Sequence, residues 1–572
     1  MLLPAEPAPA EPCPASPPSA ARDLLWLALG LGALHFFLLG TAPLVSPDEA
    51  RYAEIPREML ASGDWVAPQL NGVPYFEKPP LVYWLVALAR AAFGPGELAV
   101  RLTPALFGLG AALLTYAAGR RLWGRRAGLL AAVVLGTSLL HFVVARLLML
   151  DMPLAALMSA TLLCFLLGVR EPPGAARRWL FLGLYASAAL ATLTKGLIGF
   201  LIPGAVMFLW LLIFNQWHRL RPLHLPAGLL VFFAIAAPWH ILAAQRHPDW
   251  AHFYFVHEHW QRFTTTTHGR NEPWWFFIPI LIGGVFPWIG FVGAAVRDTV
   301  RTGWARRKEN ADVWFLVLWA AFIFLFFSKS QSKLASYLLP ALPPLALLAG
   351  AWIASRWEAR SAPGLRGALG AGLFLQGLLA AGLIVVAFKR GVIRDAEQAA
   401  GLRPHAIAMA ALLIVGGVAA HALARRRGLR TGVAVTVVVT AVFYGAVVVA
   451  RPHFERAGTK ELARFARARL APEDRVYHYW AFFHDFVYYT ERPVGLVGYT
   501  DELGVRFLDP AERARWFIDD AELRRQWLGP GRVWVVVRNR DLAHEKSVFA
   551  DPALRHHVIA ATKAHSLLSN QP

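Results

Sequence analysis

The chain has 572 residues, 56% of them hydrophobic and 16% charged, with a mean hydropathy of +0.44. Its apolar residues come in blocks of about twenty, which excludes a soluble globular chain and leaves a polytopic helical membrane protein. The formal charge of +20 does not point to nucleic acid, because the arginines sit in short clusters between apolar blocks, as cytoplasmic loops do.

The opening "MLLPAEPAPAEPCPASPPSA" lacks a basic leader and is rich in proline, so residues 1–22 are expected to form a disordered cytoplasmic tail. Apolar runs then predict thirteen membrane spans, near 24–41, 99–119, 127–145, 151–169, 178–194, 198–216, 226–245, 274–294, 312–327, 334–354, 367–388, 405–423 and 431–450. "KPPLVYWLVALARAAFG" is shorter and broken by Arg90, and is assigned to the membrane interface. With the first residue inside, the basic loops "RRLWGRR", "REPPGAARR", "NQWHRLRPLH", "RDTVRTGWARRK", "SRWEARSAPGLR" and "ARRRGLR" all fall in the cytoplasm. The expected plan is a membrane domain over 23–450, with a first outer loop at 42–98, followed by an outer domain over 451–572. That last part alternates helical stretches such as "GTKELARFARARL" with strand-like runs such as "DRVYHYW" and "GRVWVVVRN", the pattern of a small α/β domain. Cys13 and Cys164 lie in the tail and in an apolar block, so neither a mutual disulfide nor a cysteine metal site is expected.

The first outer loop begins "SPDEARYAEIPREM". Ser46 reads as an N-cap, Pro47 as the first helical residue and Glu49 as the far side of a capping box, which gives both acids a local explanation. Further ionisable residues share that membrane face. They are Tyr75, Glu77 and Lys78 in "YFEKPPLVYW", Arg146 and Asp151 in "ARLLMLDMP", Lys195 in "TLTKG", His257, Glu258, His259 and Arg262 in "FVHEHWQRF", and Lys329, Lys333 and Tyr337 in "SKSQSKLASY". Singly, each has an innocent reading as a helix cap, a snorkelling lysine or a polar surface histidine. Together on one face they mark a site, because ionisable groups beside lipid are costly otherwise. Cations and carboxylates above a long apolar cradle suit a sugar carried on a polyprenyl phosphate. Lys and Arg stabilise the departing phosphate, and a carboxylate, Asp48, deprotonates or orients the acceptor. A lipid-sugar flippase or other transporter would share the composition, but transporters tend to place their charges at mid-membrane rather than at the outer helix ends.

"SPDEARYAEIPREMLASGDWVAPQLNGVPYFEKPPLVYW" resembles the first periplasmic loop of bacterial lipid-phosphate-dependent glycosyltransferases, the branch that includes the lipid A aminoarabinose transferase and is related to protein O-mannosyltransferases. The resemblance continues through "LDMP", "TKG", "EHWQRF" before "PWWFFIPIL", the Phe-Pro-Trp of "GGVFPWIG" and "SKSQSKLASYLLPALPP", roughly residues 24–345, and is loose beyond. It implies a GT-C fold of thirteen membrane helices, interfacial helices in the first outer loop and a periplasmic C-terminal domain. It further implies Asp48 as the essential aspartate, with Asp151 and Lys195 facing the same cavity and Lys195 available to pair with Asp48. Tyr75, Lys78, Arg262 and Tyr337 fall where the family gathers the carrier phosphate. Glu77 and His257, with His259 as an alternative, stand as ligands of a divalent ion such as zinc, magnesium or manganese; a catalytic zinc usually has about three protein ligands. The implied partners are an undecaprenyl-phosphate sugar, a lipid A or other envelope acceptor and the lipid bilayer, with no nucleic acid, for a chain expected to act as a monomer in the bacterial inner membrane. The implied reaction moves 4-amino-4-deoxy-L-arabinose to a lipid A phosphate. Transfer to a hydroxyl of another lipid, glycan or protein stays open.

Overall fold

The computed structural model describes residues 19–254, 272–302, 304, 307–358, 364–389, 391–393, 395–454, 458–500, 503 and 507–572. Apolar blocks in lipid must satisfy their backbone internally, and they do so as helices. Helix α1 (Ala20–Phe36) is capped by Ser19, whose hydroxyl accepts from Arg22 N, so helix begins inside the stretch expected to be tail. The first loop then supplies α2 (Asp48–Ser62) and α3 (Leu81–Phe93), separated by a hairpin of β1 (Gln69–Leu70) and β2 (Val73–Pro74). Its turn is Asn71-Gly72, with φ of 59° and 71°, the left-handed pair that a two-residue hairpin requires.

The helical layer continues with α4 (Glu97–Trp123), the bent pair α5 (Arg125–Gly136) and α6 (Leu139–Ala145), α7 (Asp151–Gly168), α8 (Ala175–Lys195), α9 (Ile198–Phe214) and α10 (Leu225–Arg246). A second bent pair, α11 (Phe277–Gly284) and α12 (Ile289–Thr302), leads to α13 (Ala311–Lys329), α14 (Leu342–Ser355), α15 (Leu365–Phe388), α16 (Ala396–Arg427) and α17 (Leu429–Ala450). Every one of the thirteen predicted spans is thus a helix or a bent pair. Among the described residues, eight helices are long and apolar enough to cross a membrane, or up to ten if each bent pair is one span. The other three are α1 and α9, each of 17 residues, and α8, which carries Arg177, Arg178 and Lys195. Small residues let the helices close on one another: a Cβ on Gly128 would stand 2.5 Å from the Tyr116 carbonyl oxygen, which fixes the α4–α5 contact.

After α17 the chain forms α18 (Lys460–Arg467), β3 (Arg475–Tyr479), α19 (His484–Thr490), β4 (Gly495–Val497), β5 (Phe517–Ile518), β6 (Val533–Arg538), β7 (His557–Ala561) and β8 (His565–Ser569). The strands make one sheet in the order β5-β4-β3-β6-β8-β7, parallel from β5 to β6 and antiparallel beyond. This α/β unit shares a core with the first loop. Leu44, Ala50, Ile55, Tyr75 and Tyr83 pack in one cluster with Phe482, Phe483, Val487 and Trp534. Polar ties reinforce the junction: Asn71 Nδ2 donates to Val494 O and Val494 N to Asn71 Oδ1, both at 2.8 Å, Leu44 N donates to the Tyr489 hydroxyl at 3.0 Å, and Lys460 pairs with Glu97.

Candidate active site

A cavity of about 160 Å³ opens where α2, the loop after β2, α7, α8, α13 and the 3-10 turn Ala335–Ala341 converge. Its polar end is lined by Asp48, Arg51, Tyr52, Glu77, Lys78, Asp151, Lys195 and Tyr337, and its other walls by Leu154, Met158, Ile198, Ile202, Phe326 and Phe327. Six of the residues singled out by sequence therefore meet in one place: Asp48, Glu77, Lys78, Asp151, Lys195 and Tyr337. Tyr75 does not line the cavity. It is buried behind it, within electrostatic reach of Glu77 and Arg51, and burial pushes its phenol well up and that of Tyr52 up, so both are neutral hydroxyls. His257 and Arg262 lie outside the described residues, as do Glu258 and His259.

The charges pair differently from the sequence expectation. Lys195 Nζ bonds Asp151 Oδ1 at 2.6 Å and lies 5.0 Å from the Tyr337 ring centroid, whereas Asp48 Oδ1 accepts from Arg51 Nη2 at 2.6 Å. The reason is where the helices end. Asp151 opens α7 and Lys195 closes α8, so each charge sits at the helix terminus that favours its sign, and the packing of α7 on α8 brings the two together. Asp48 is free to turn to its own helix, where Arg51 is three residues on. The side chain of Asp48 remains 39% exposed and that of Arg51 only 5%, so the carboxylate looks into the cavity while the guanidinium backs it. Lys78 Nζ donates to the Glu77 carbonyl at 2.8 Å and stands 3.7 Å from its carboxylate.

The capping box does not form either. α2 begins at Asp48 with Pro47 as its N-cap and no side-chain cap bond. Glu49 is instead buried and bridged by Arg101, whose Nε and Nη2 donate to its two carboxylate oxygens at 2.8 Å each, while Leu148 N donates at 2.9 Å and Val45 N at 3.0 Å. Arg101 also donates to the carbonyls of Leu39, Ala42 and Pro43. The pair locks the start of the first loop onto α4, which sets the azimuth of α2 and hence aims Asp48. Sequence reasoning passed over Arg51 and Tyr52. Their signal was present in their spacing of three and four residues from Asp48, the same face of a helix.

Among the described residues no three His, Cys, Asp or Glu come together as metal ligands do. The described residues alone thus do not fit a metal site.

Residues 33–257 match the family described as dolichyl-phosphate-mannose-protein mannosyltransferase. The chain is 36% identical over 375 residues to the undecaprenyl phosphate-alpha-4-amino-4-deoxy-L-arabinose arabinosyl transferase 2 of Pseudomonas fluorescens, covering 64% of this chain and 66% of that relative. With the corresponding transferase of Edwardsiella ictaluri it shares 35% over 336 residues, 57% of this chain and 59% of the relative. The alignments span just under two thirds of the length of these curated relatives. The crystal structure of ArnT from Cupriavidus metallidurans bound to undecaprenyl phosphate superposes with a TM-score of 0.82 at 30% identity, covering 96% of this chain and 98% of that one. On a likeness of that identity and extent, the chain belongs to the family of the undecaprenyl phosphate-alpha-4-amino-4-deoxy-L-arabinose arabinosyl transferases, glycosyltransferases of the GT-C fold.

Proposed function

We propose that the chain transfers a sugar, 4-amino-4-deoxy-L-arabinose, from undecaprenyl phosphate to a lipid A phosphate at the periplasmic face of the bacterial inner membrane, acting as a monomer. The observation that carries the reading is the two-ended cavity: carboxylates and cations at one end, aliphatic and aromatic helix faces at the other. A polyprenyl phosphate sugar has that same division. Its chain would lie against Leu154, Ile198 and Phe326, with the phosphate near Lys78 and Arg51 and, by family resemblance, Arg262.

An acceptor oxygen attacks the anomeric carbon, the bond from that carbon to the carrier phosphate oxygen breaks, and undecaprenyl phosphate leaves with the electron pair. Lys78 and Arg51 stabilise the negative charge gathering on the leaving phosphate. Asp48 orients the acceptor and opposes the positive charge on the oxocarbenium-like carbon. A lipid A phosphate is already an anion near neutral pH, so no base is required; for a hydroxyl acceptor Asp48 would take the proton. The Asp151–Lys195 pair, with Tyr337 stacked on the cation, walls the sugar pocket.

A divalent ion held by Glu77 and His257 is a separate proposal, and no step here passes through it. Metal analysis of wild type and the Glu77→Ala, His257→Ala double variant decides it, with activity read before and after chelation. Unchanged activity in metal-free protein removes the ion.

The test of the function is purified full-length chain supplied with undecaprenyl-phosphate sugars and lipid A, with product followed by mass spectrometry. Transfer of aminoarabinose to lipid A is the expected result; product on a hydroxyl acceptor alone replaces the acceptor, and no transfer with any carrier-linked sugar overturns the reading. A reporter fused after Arg451 should be active only outside the cytoplasm.

A further inference from the structure

The segment joining α13 to the 3-10 turn Ala335–Ala341 brings two hydroxyls to the cavity that the mechanism above does not use. Ser332 and Ser336 both line it. Ser336 is only 5% exposed, and the Oγ atoms of both serines are buried without a hydrogen-bond partner among the described residues. Elsewhere in the bundle buried hydroxyls bond their own helix: those of Thr115, Ser159, Thr192 and Thr440 donate to the carbonyl four residues back, at 2.8, 2.6, 2.8 and 2.7 Å. Ser332 and Ser336 have no such carbonyl beneath them, because residues 330–334 are not helical and the backbone of Ser330 and Leu334 is extended. A buried hydroxyl left unpaired costs the fold free energy, so each such group calls for a partner. The cavity is where a ligand can supply one.

We propose that Ser332 and Ser336 select the sugar of the donor, each bonding a hydroxyl of the sugar ring; the inference rests on the function proposed above and deepens it. A serine hydroxyl donates one hydrogen bond and accepts two, which matches a sugar hydroxyl, itself donor and acceptor. A phosphate near neutral pH offers chiefly acceptors and has Lys78 and Arg51 to meet it, and an isoprenoid chain offers neither. The surroundings agree with a sugar. The polar side chains by which this segment lines the cavity, those of Ser330, Ser332, Ser336 and Tyr337, all end in hydroxyls, and the cation beside Tyr337, Lys195, is already held by Asp151. A site that bonds a substrate hydroxyl rejects the analogue lacking it, because its own polar groups are then left unpaired.

The test compares kcat/KM of purified full-length wild type and the Ser332→Ala, Ser336→Ala double variant, with undecaprenyl-phosphate 4-amino-4-deoxy-L-arabinose and with donors that lack the sugar hydroxyl at C2 or at C3. Wild type should lose about tenfold or more on at least one deoxy donor. The double variant should lose as much on the parent donor and nothing further on that deoxy donor, as groups that bond each other do. A wild type indifferent to both deoxy donors, or losses that multiply, overturns the assignment. The melting temperature of the variant should not fall, since the hydroxyls removed have no partner in the fold; a lower melt makes them structural and overturns it as well. Ser328→Ala is the control, because its Oγ is equally unpartnered among the described residues but Ser328 does not line the cavity. Its kinetics should match wild type, and an equal loss there overturns the site. Inhibition by sugar-free undecaprenyl phosphate should be the same in wild type and the double variant; weaker inhibition of the variant makes the ligand the carrier phosphate and overturns the assignment to sugar. A double variant as fast as wild type on the parent donor overturns the inference and leaves the function standing, whereas wild type inactive on every carrier-linked sugar overturns both.

Discussion

Asp48 and Glu49 are neighbours at the start of α2, yet they belong to two different regions. Asp48 opens onto the cavity, part-exposed and partnered by an arginine on its own helix. Glu49 faces the packed seam against α4, buried and doubly bonded by Arg101 from 52 residues away. One turn of helix therefore has a face open to the cavity and a face packed for support. The difference teaches that a carboxylate's surroundings, not its place in a motif, decide its work: a solvated acid can meet a substrate at little cost to the fold, whereas a desolvated one is tied to the single cation that compensates it.

The support face should fail first and hardest. Glu49→Ala leaves the Arg101 guanidinium buried without its counter-charge, at a cost of about 3 to 5 kcal/mol. Thermal melts and the yield of folded protein should show it, and activity per folded molecule should fall less than yield. A melt within a degree of wild type would erase the distinction between the two faces.

The cavity face should show the opposite pattern. Asp48→Asn keeps shape and an acceptor but removes the charge, and turnover of carrier-linked sugar should drop on the order of a hundredfold, about 2.7 kcal/mol of transition-state stabilisation. Its melting curve should move less than that of Glu49→Ala, because Asp48 is part-exposed and Glu77 also lies within electrostatic reach of the buried Arg51. Full activity in Asp48→Asn would show that the acid does no more than start a helix.

Two smaller effects probe how far the support reaches. Asn71→Ala removes both hydrogen bonds to Val494, worth roughly 2 kcal/mol together, and should speed proteolytic release of the C-terminal unit while leaving the helical layer intact. Glu58, also on α2, accepts from Asn71 N at 2.7 Å and Gly72 N at 3.0 Å. Burial, and then the neighbouring Glu54 carboxylate, push it up from the ordinary 4.5 to about 8. Because the folded state holds this proton more tightly than the unfolded state, the contribution is fully present below about 4.5 and is lost as pH rises toward about 8. The slope is at most about 1.4 kcal/mol per pH unit. Melts across that window should flatten in Glu58→Gln; an unchanged slope would place the titration elsewhere.

The sequence by itself determined the thirteen helical segments, the separateness of the short apolar piece "KPPLVYWLVALARAAFG" from them and the α/β character of the last stretch, because these are local properties. A block of about twenty apolar residues has one low-energy form in lipid, and alternating strand runs between helical ones leave few sheet architectures. It also pointed to the residues that gather in the cavity, since charges beside lipid stand out in composition alone. Only the tertiary structure decided who meets whom. That Lys195 joins Asp151, that Arg51 takes Asp48, that Tyr75 lies behind the cavity and that Glu49 forgoes its capping box for Arg101 all follow from the packing of helices far apart in the chain. Nothing in the local pattern of a helix says which cation will be within reach once its azimuth is fixed, and for α2 that azimuth is set by α4 on one side and by the C-terminal unit on the other.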